Sequence, residues 1–187
     1  MRVLVVGVLA AASACVSSTY VGSARPFAPE ELEREPGWLA VRDVPVVRQE
    51  SEIDCGAAAI AMVVTYWTTE PSARLLAELR PVRKPGLEAG RLRDFARRRH
   101  LSAYLVRGKL ADLERELAAG RPVLVGLVKP QVRGGLTHYE VVVGFHRRQG
   151  LVVTLDPAEG WRQNDLRGFL AEWKPAANLA LVVVGRS

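Results

Sequence analysis

The hydrophobic positions of this chain change period several times, and each change predicts an element. Residues 55–67, CGAAAIAMVVTYW, have apolar residues on every side of a helix and predict one that is buried all round. ARLLAELR (73–80) and GRLRDFARRRH (90–100) keep helical spacing with a polar face, and the second puts Leu92, Phe95 and Ala96 on one side. LSAYLV (101–106) predicts a short strand. KLADLERELAAG (109–120) aligns Leu110, Leu113 and Leu117 and stops at Gly120, a strong helix signal. Three β-rich runs follow, RPVLVGLV, THYEVVVGF and LVVTLDP, the last two joined by HRRQG in a hairpin-like connection. DLRGFLAEW returns to helical spacing, and NLALVVV closes as a strand.

Helices dominate the first half and strands the second. That segregation predicts an α+β fold with an antiparallel sheet, not the regular alternation of a doubly wound fold. Leu113, Leu117, Val123, Val141 and Val143 are its expected core positions. Upstream of the long helix, DVPVVRQ (43–49) reads as extended, because Pro45 biases Val44 away from helix.

The first residues belong to a different kind of segment. MRVLVVGVLAAASACVSS has one arginine, about ten apolar residues and then small residues leading to Cys15, the plan of a secretory signal. It is shorter than the roughly 20 apolar residues a transmembrane helix needs, and no later run reaches that length. Ala12-Ser13-Ala14-Cys15 resembles a bacterial lipobox, with alanine where leucine is usual, and implies lipidation of Cys15. Val16 after that cysteine, not aspartate, leans by the same resemblance towards the outer membrane. Cleavage after Ala14 without lipid is the alternative. The expected organisation is a lipoprotein signal peptide at 1–14, a lipid-anchored linker at 15–42, rich in proline and acids, and a folded domain at 43–187.

Composition narrows the chemistry. Over 187 residues the chain is 49% hydrophobic and 25% charged, an ordinary globular balance. The formal charge of +6 comes mostly from arginine, yet its densest cluster, RRRH at 97–100, has no interleaved aromatics. It reads as a solvated helix face, so no nucleic-acid partner is expected. Two cysteines and three scattered histidines show no paired metal-ligand spacing, so no metal or other cofactor is expected. A Cys15–Cys55 disulfide is the competing use of the two thiols in an exported chain.

Cys55 opens the long apolar helix. Its sulfur then sits at the positive end of the helix dipole beside unpaired N–H groups, which favours the reactive thiolate. Glu50, Glu52 and Asp54 just upstream oppose that, so a histidine is needed as activator. His100 ends a basic helix and His146 borders a turn. His138 opens the THYEVVVGF strand and is the best placed. In the hairpin, the partner of position 138 falls between 156 and 160, an interval that includes Asp156. A carboxylate there would orient the imidazole as the third member of a triad. Asp156-Pro157 also reads simply as the start of a turn. Gln49, upstream of the cysteine, can add its amide to the Cys55 N–H as an oxyanion hole.

VPVVRQESEIDCGAAAIAMVVTYW, together with ELAAGRPVLVGL, THYEVVVGF, LDPAEG and FLAEW, resembles the bacteriocin-processing, double-glycine leader cysteine peptidase family, from about Val44 to Trp173. The resemblance implies a papain-like fold. It also implies catalytic roles for Cys55, His138 and Asp156, an oxyanion role for Gln49, and a peptide or protein substrate. Family members fused to transporters carry a membrane domain and an ATPase, so this chain looks like a stand-alone exported form anchored in the membrane by lipid. The expected function is a thiol endopeptidase cleaving after small-residue or Gly-Gly sites in exported peptides. A non-cleaving peptide-binding module on the same fold, a basic surface-binding lipoprotein with an inert buried Cys55, and amide-bond transfer in place of hydrolysis are the alternatives.

Overall fold

The computed structural model describes residues 22–80, 86–130 and 137–185. Within them the chain runs β1 (Arg25–Pro26), α1 (Glu31–Arg34), β2 (Trp38–Ala40), α2 (Cys55–Trp67), α3 (Ser72–Leu79), α4 (Ala89–Arg97), β3 (Ser102–Arg107), α5 (Leu110–Ala118), β4 (Val123–Val128), β5 (Thr137–His146), β6 (Leu151–Asp156), β7 (Gly160–Asp165), α6 (Leu166–Trp173) and β8 (Leu179–Val184). A single 3-10 turn at Lys174–Ala176 joins α6 to β8. The segregated order of helices and strands gives the expected α+β architecture.

The strands form one antiparallel sheet in the order β1-β7-β6-β5-β4-β8-β3. β5 is the long central strand. β4 pairs with it from Thr137 to Val142, and β2 pairs with its far end, from Gly144 to His146. Val123, Leu124, Val141, Val142 and Val143 are wholly buried at this centre, and Leu113 and Leu117 of α5 close over it, as their periodicity predicted. The apolar-all-round helix is α2. Its residues 55–64 are all buried between the sheet and helices α3 and α4.

Two parts of the chain depart from the sequence reading. The stretch assigned to a linker is folded from Gly22 onward. Arg25 and Pro26 pair with Gln163 and Arg162 of β7, the Phe27 N–H donates to Trp161 O at 3.1 Å, and Ala24, Phe27 and Leu32 are buried. Its apolar residues are too few and too interrupted by proline to show a period, yet each fills a place on the sheet. β7, GWRQND, shows no β pattern either, because Arg162, Gln163 and Asn164 are polar residues that the fold buries. The DVPVVRQ segment, read as extended from the sequence, joins no strand of the sheet and opens with Asp43 at a φ of 62°, while Val44 and Val47 pack into the core.

Candidate active site

Cys55 is the first residue of α2, directly after Asp54. It is a free thiol, so Cys55 is not used in a disulfide. Cys15 lies outside the described residues. The next residue has to be small: a Cβ on Gly56 would sit 3.1 Å from the Tyr139 ring, so the helix start and β5 are in close contact. Burial raises the Tyr139 phenol to about 12, with the charges of Cys55 and Glu88 adding to it. The residue therefore stays neutral beside the sulfur.

β5 and β6 bring the second and third candidates to this point. His138 Nε2 donates to Asp156 Oδ1 at 2.8 Å, and the imidazole is also hydrogen-bonded to Cys55. His138 and Asp156 are each only 1% exposed, whereas Cys55 keeps 8%. Cys55 is thus the least buried of the three. Burial pulls the imidazole towards its neutral form, but the hydrogen bonds and charges of Asp156 and Cys55 outweigh it and raise His138 to about 10. Asp156 is pushed upward by burial and more strongly downward by its bond to His138, by the Ala158 N–H at 2.7 Å and by the charge of Lys129, so its carboxyl ends below the ordinary range. The arrangement at neutral pH is an imidazolium held between a carboxylate and a sulfur.

Asp156 serves the Asp-Pro turn and also bonds the His138 ring. The Asp156 carboxylate caps Ala158 N–H while it accepts from His138, and Gln49 N–H donates to Pro157 O at 3.0 Å. That bond fixes Gln49 to the rim formed by the same turn. The Gln49 side-chain amide donates to Ser51 O at 3.0 Å, which leaves its second N–H unassigned. Arg48 reinforces the junction by donating to Ala158 O.

The acids upstream of the cysteine are partly answered by a cation the sequence did not single out. Arg80 Nη2 lies 2.5 Å from Glu50 and its Nε lies 3.7 Å from Asp54, which is wholly buried. The other two histidines stand apart from this chemistry. His146 donates from Nε2 to Pro36 O at 3.2 Å and meets the Trp38 ring edge-on, a structural role. His100 is exposed just after α4.

Behind His138 lies a buried ionic cluster that the sequence reading missed. Lys129 Nζ sits 2.6 Å from Glu140 and 2.8 Å from Glu172, and all three are at most 2% exposed. The signal was present: Glu140 interrupts an apolar strand two residues after His138, and therefore on the same face.

Peptidase domains of this architecture have been solved. The structure is similar to the peptidase domain of Streptococcus ComA, a bi-functional ABC transporter involved in quorum sensing, with TM-score 0.63 and 23% identity over 76% of this chain and 99% of that one. A double-glycine-motif protease from an AMS/PCAT transporter, solved with its leader peptide, matches with TM-score 0.63 and 22% identity over 79% of this chain and 94% of that one. A C39-like peptidase from Bacillus anthracis matches with TM-score 0.62 and 18% identity over 80% and 98%. At these identities the likeness shows the papain-like fold. No curated protein matches the sequence. A family profile does match, across residues 43–184, and it covers every element from α2 to β8: the chain belongs to the peptidase C39 family.

Proposed function

We propose that the chain is a thiol endopeptidase acting on exported peptides or proteins, with Cys55 as nucleophile, His138 as its acid-base partner and Asp156 as the orienting carboxylate. Membership of a cysteine peptidase family supports the reaction class. The observation that carries the assignment is the single line of contacts from Cys55 through His138 to Asp156 at the start of a buried helix. The imidazole and the helix N-terminus both lie beside the Cys55 sulfur, where they can assist its attack.

The Cys55 thiolate attacks the scissile carbonyl carbon, and the charge moves to the carbonyl oxygen. Gln49 and the Cys55 backbone N–H would stabilise that oxyanion, since the first N–H groups of a helix have no partner within it. His138 gives its proton to the leaving amine as the C–N bond breaks, and a thioester remains on Cys55. His138, now neutral, takes a proton from water, whose oxygen displaces the sulfur and releases the acid. Asp156 keeps the ring oriented through both proton transfers.

The leader-peptide complex of the double-glycine protease supports a peptide as substrate. Lipidation of Cys15 would hold the enzyme at a membrane, the outer one by the residue that follows. If that is right, Cys15→Ser releases the protein from the membrane fraction, and equal recovery of parent and variant overturns the anchor.

Labelling with an electrophilic thiol probe tests the site. Cys55→Ala abolishes labelling and leaves the fold intact, because one small residue replaces another. His138→Ala is nearly as damaging. If it labels as fast as the parent, the triad is wrong, and the protein is a peptide-binding relative with an incidental thiol.

A further inference from the structure

His138 and Asp156 share their face of the sheet with a third buried ionisable residue. A ring nitrogen of His138 and a carboxylate oxygen each of Glu140 and Asp156 all lie within 4.8 Å of one another. Two carboxylates and an imidazole so close, and out of water, would repel or take up protons unless a cation answered the extra acid. Lys129 answers it. It stands one residue beyond β4, bridges Glu140 and Glu172, and is itself 1% exposed. Burial disfavours its charge, yet the two carboxylates outweigh that and raise it well above the ordinary lysine value.

Every member of this cluster is held from a second side. Thr154 Oγ1 donates to Glu140 Oε2 at 2.6 Å. Ser23 donates to Glu172 Oε1 twice, from its backbone N–H and its hydroxyl, each at 2.7 Å, and Asn164 Nδ2 donates to the Ser23 oxygen at 2.8 Å. Neither carboxylate can swing away from the lysine without breaking a second bond. A salt bridge with no task beyond stability has little reason to be built this way, since apolar residues of the same volume would often serve as well.

We propose that Lys129 and Glu140 are positioning residues for the catalytic pair: they set the local field in which Asp156 stays ionised and His138 stays charged and oriented towards Cys55. The inference rests on the triad assigned above. Besides each other, the charged groups that bear on that pair among the described residues are Cys55 on His138, Lys129 on Asp156, and Glu140 within 4.8 Å of both; Glu172 shares Lys129, and Arg48 binds the turn after Asp156. Glu140→Gln removes one negative charge beside the pair and keeps the shape. Lys129→Met removes the cation and keeps the bulk. The two substitutions change the local field in opposite directions.

The test is the titration of the His138 ring, followed by NMR in the full chain, together with the pH profile of probe labelling. Glu140→Gln is expected to move the His138 titration and the alkaline limb of labelling down by about one pH unit, an approximately tenfold loss of rate at a fixed pH on that limb. Lys129→Met is expected to move both upward. Its shift is read on the alkaline side, where the His138 ring loses its proton. Limbs that stay in place while labelling falls uniformly would overturn the proposal and leave the cluster purely structural. If Lys129→Met does not fold, Glu140→Gln decides alone, because the amide oxygen can keep the Lys129 bond while Thr154 Oγ1 turns to accept from the amide nitrogen. A native chain that is not labelled at Cys55 refutes the peptidase reading, while the His138 titration still decides this one.

Discussion

Asp156 meets His138 on the diagonal between β5 and β6, not directly across, and it reaches the right face because β5 carries one extra residue at Val143. Near the hairpin the pairs are His146 with Leu151, Phe145 with Val152 and Gly144 with Val153. Beyond Val143 the register shifts, and the ladder continues with Val142 opposite Thr154 and Val141 opposite Leu155. The next step puts Asp156 opposite Glu140, two positions along from His138's own row. Without the extra residue Asp156 would oppose Val141, whose side chain points to the other face. A diagonal neighbour lies about 7–8 Å away between Cα atoms, within reach of an imidazole and a carboxylate that lean together.

The diagonal bond gives Asp156→Asn a defined expectation. The amide keeps the bulk and can still accept from His138 Nε2, but it loses the charge that favours imidazolium. His138 should then titrate below its present value of about 10, and the alkaline fall of probe labelling should move down with it. Labelling near neutrality should drop less than in His138→Ala. An alkaline limb that does not move would show that Asp156 does not set the charge of the ring.

The same pair couples protonation to stability, with a sign that can be worked out for each partner. His138 is raised from 6.5 to about 10, so its contribution is complete below about 6.5 and is lost as pH rises through about 10. Asp156 is lowered from 3.8, so its contribution is present above about 3.8 and is lost as pH falls through its depressed value. Thermal unfolding midpoints measured across the alkaline range for the native chain and His138→Gln check the first half. The native protein should lose stability over that window and the variant should not. Parallel alkaline losses would remove His138 as the cause.

The sequence showed the elements that repeat apolar residues at a regular period, and those elements position the site. α2 is buried all round, and so carries Cys55 into the core edge. The hairpin of β5 and β6 brought Asp156 near His138, though on the diagonal and not as the direct partner. What it did not show were places where polar residues are buried because other polar residues meet them. β7 hides Arg162, Gln163 and Asn164, and its partner β1 is only two residues long, too short for any pattern. The Lys129–Glu140–Glu172 cluster joins three separate elements, so no local period announces it. The bulge at Val143 was equally invisible, since three consecutive valines give no sign of which one is extra.

The N-terminal segment offers a test of how far the folded unit extends. Ser23 hydrogen-bonds Glu172, Arg25 donates to Gln163 from two nitrogens, and Arg162 donates to Ala24 O, so residues 23–26 cover buried polar groups of β7 and α6. A chain beginning at residue 28 exposes those groups and loses the packing of Phe27 on Trp38, whose rings meet edge-on at 5.8 Å. Its unfolding free energy is expected to fall by about 2 kcal/mol or more, the scale of a lost buried aromatic and several bonds. Chemical denaturation compared with a chain beginning at residue 22 measures it. Equal midpoints would return residues 22–27 to the role of a spacer.

Gln49 is the member of the proposed machinery whose role is most open to measurement. Its backbone is tied to Pro157 O, so it moves with the turn that also holds Asp156. One amide hydrogen is spent on Ser51 O, and Oε1 is buried with no hydrogen-bond partner among the described residues. An amide held this way has one donor left to offer. If that donor stabilises the oxyanion, its contribution arises only as charge develops on the carbonyl oxygen, and the ground-state complex gains little from it. Gln49→Ala should therefore lower turnover by about a hundredfold or more, the usual scale for one such donor, with little change in peptide affinity. Steady-state kinetics and a binding isotherm on the Cys55→Ala background separate the two effects. Unchanged turnover with weakened binding would make Gln49 a substrate contact, and the oxyanion would then rest on backbone N–H groups at the start of α2.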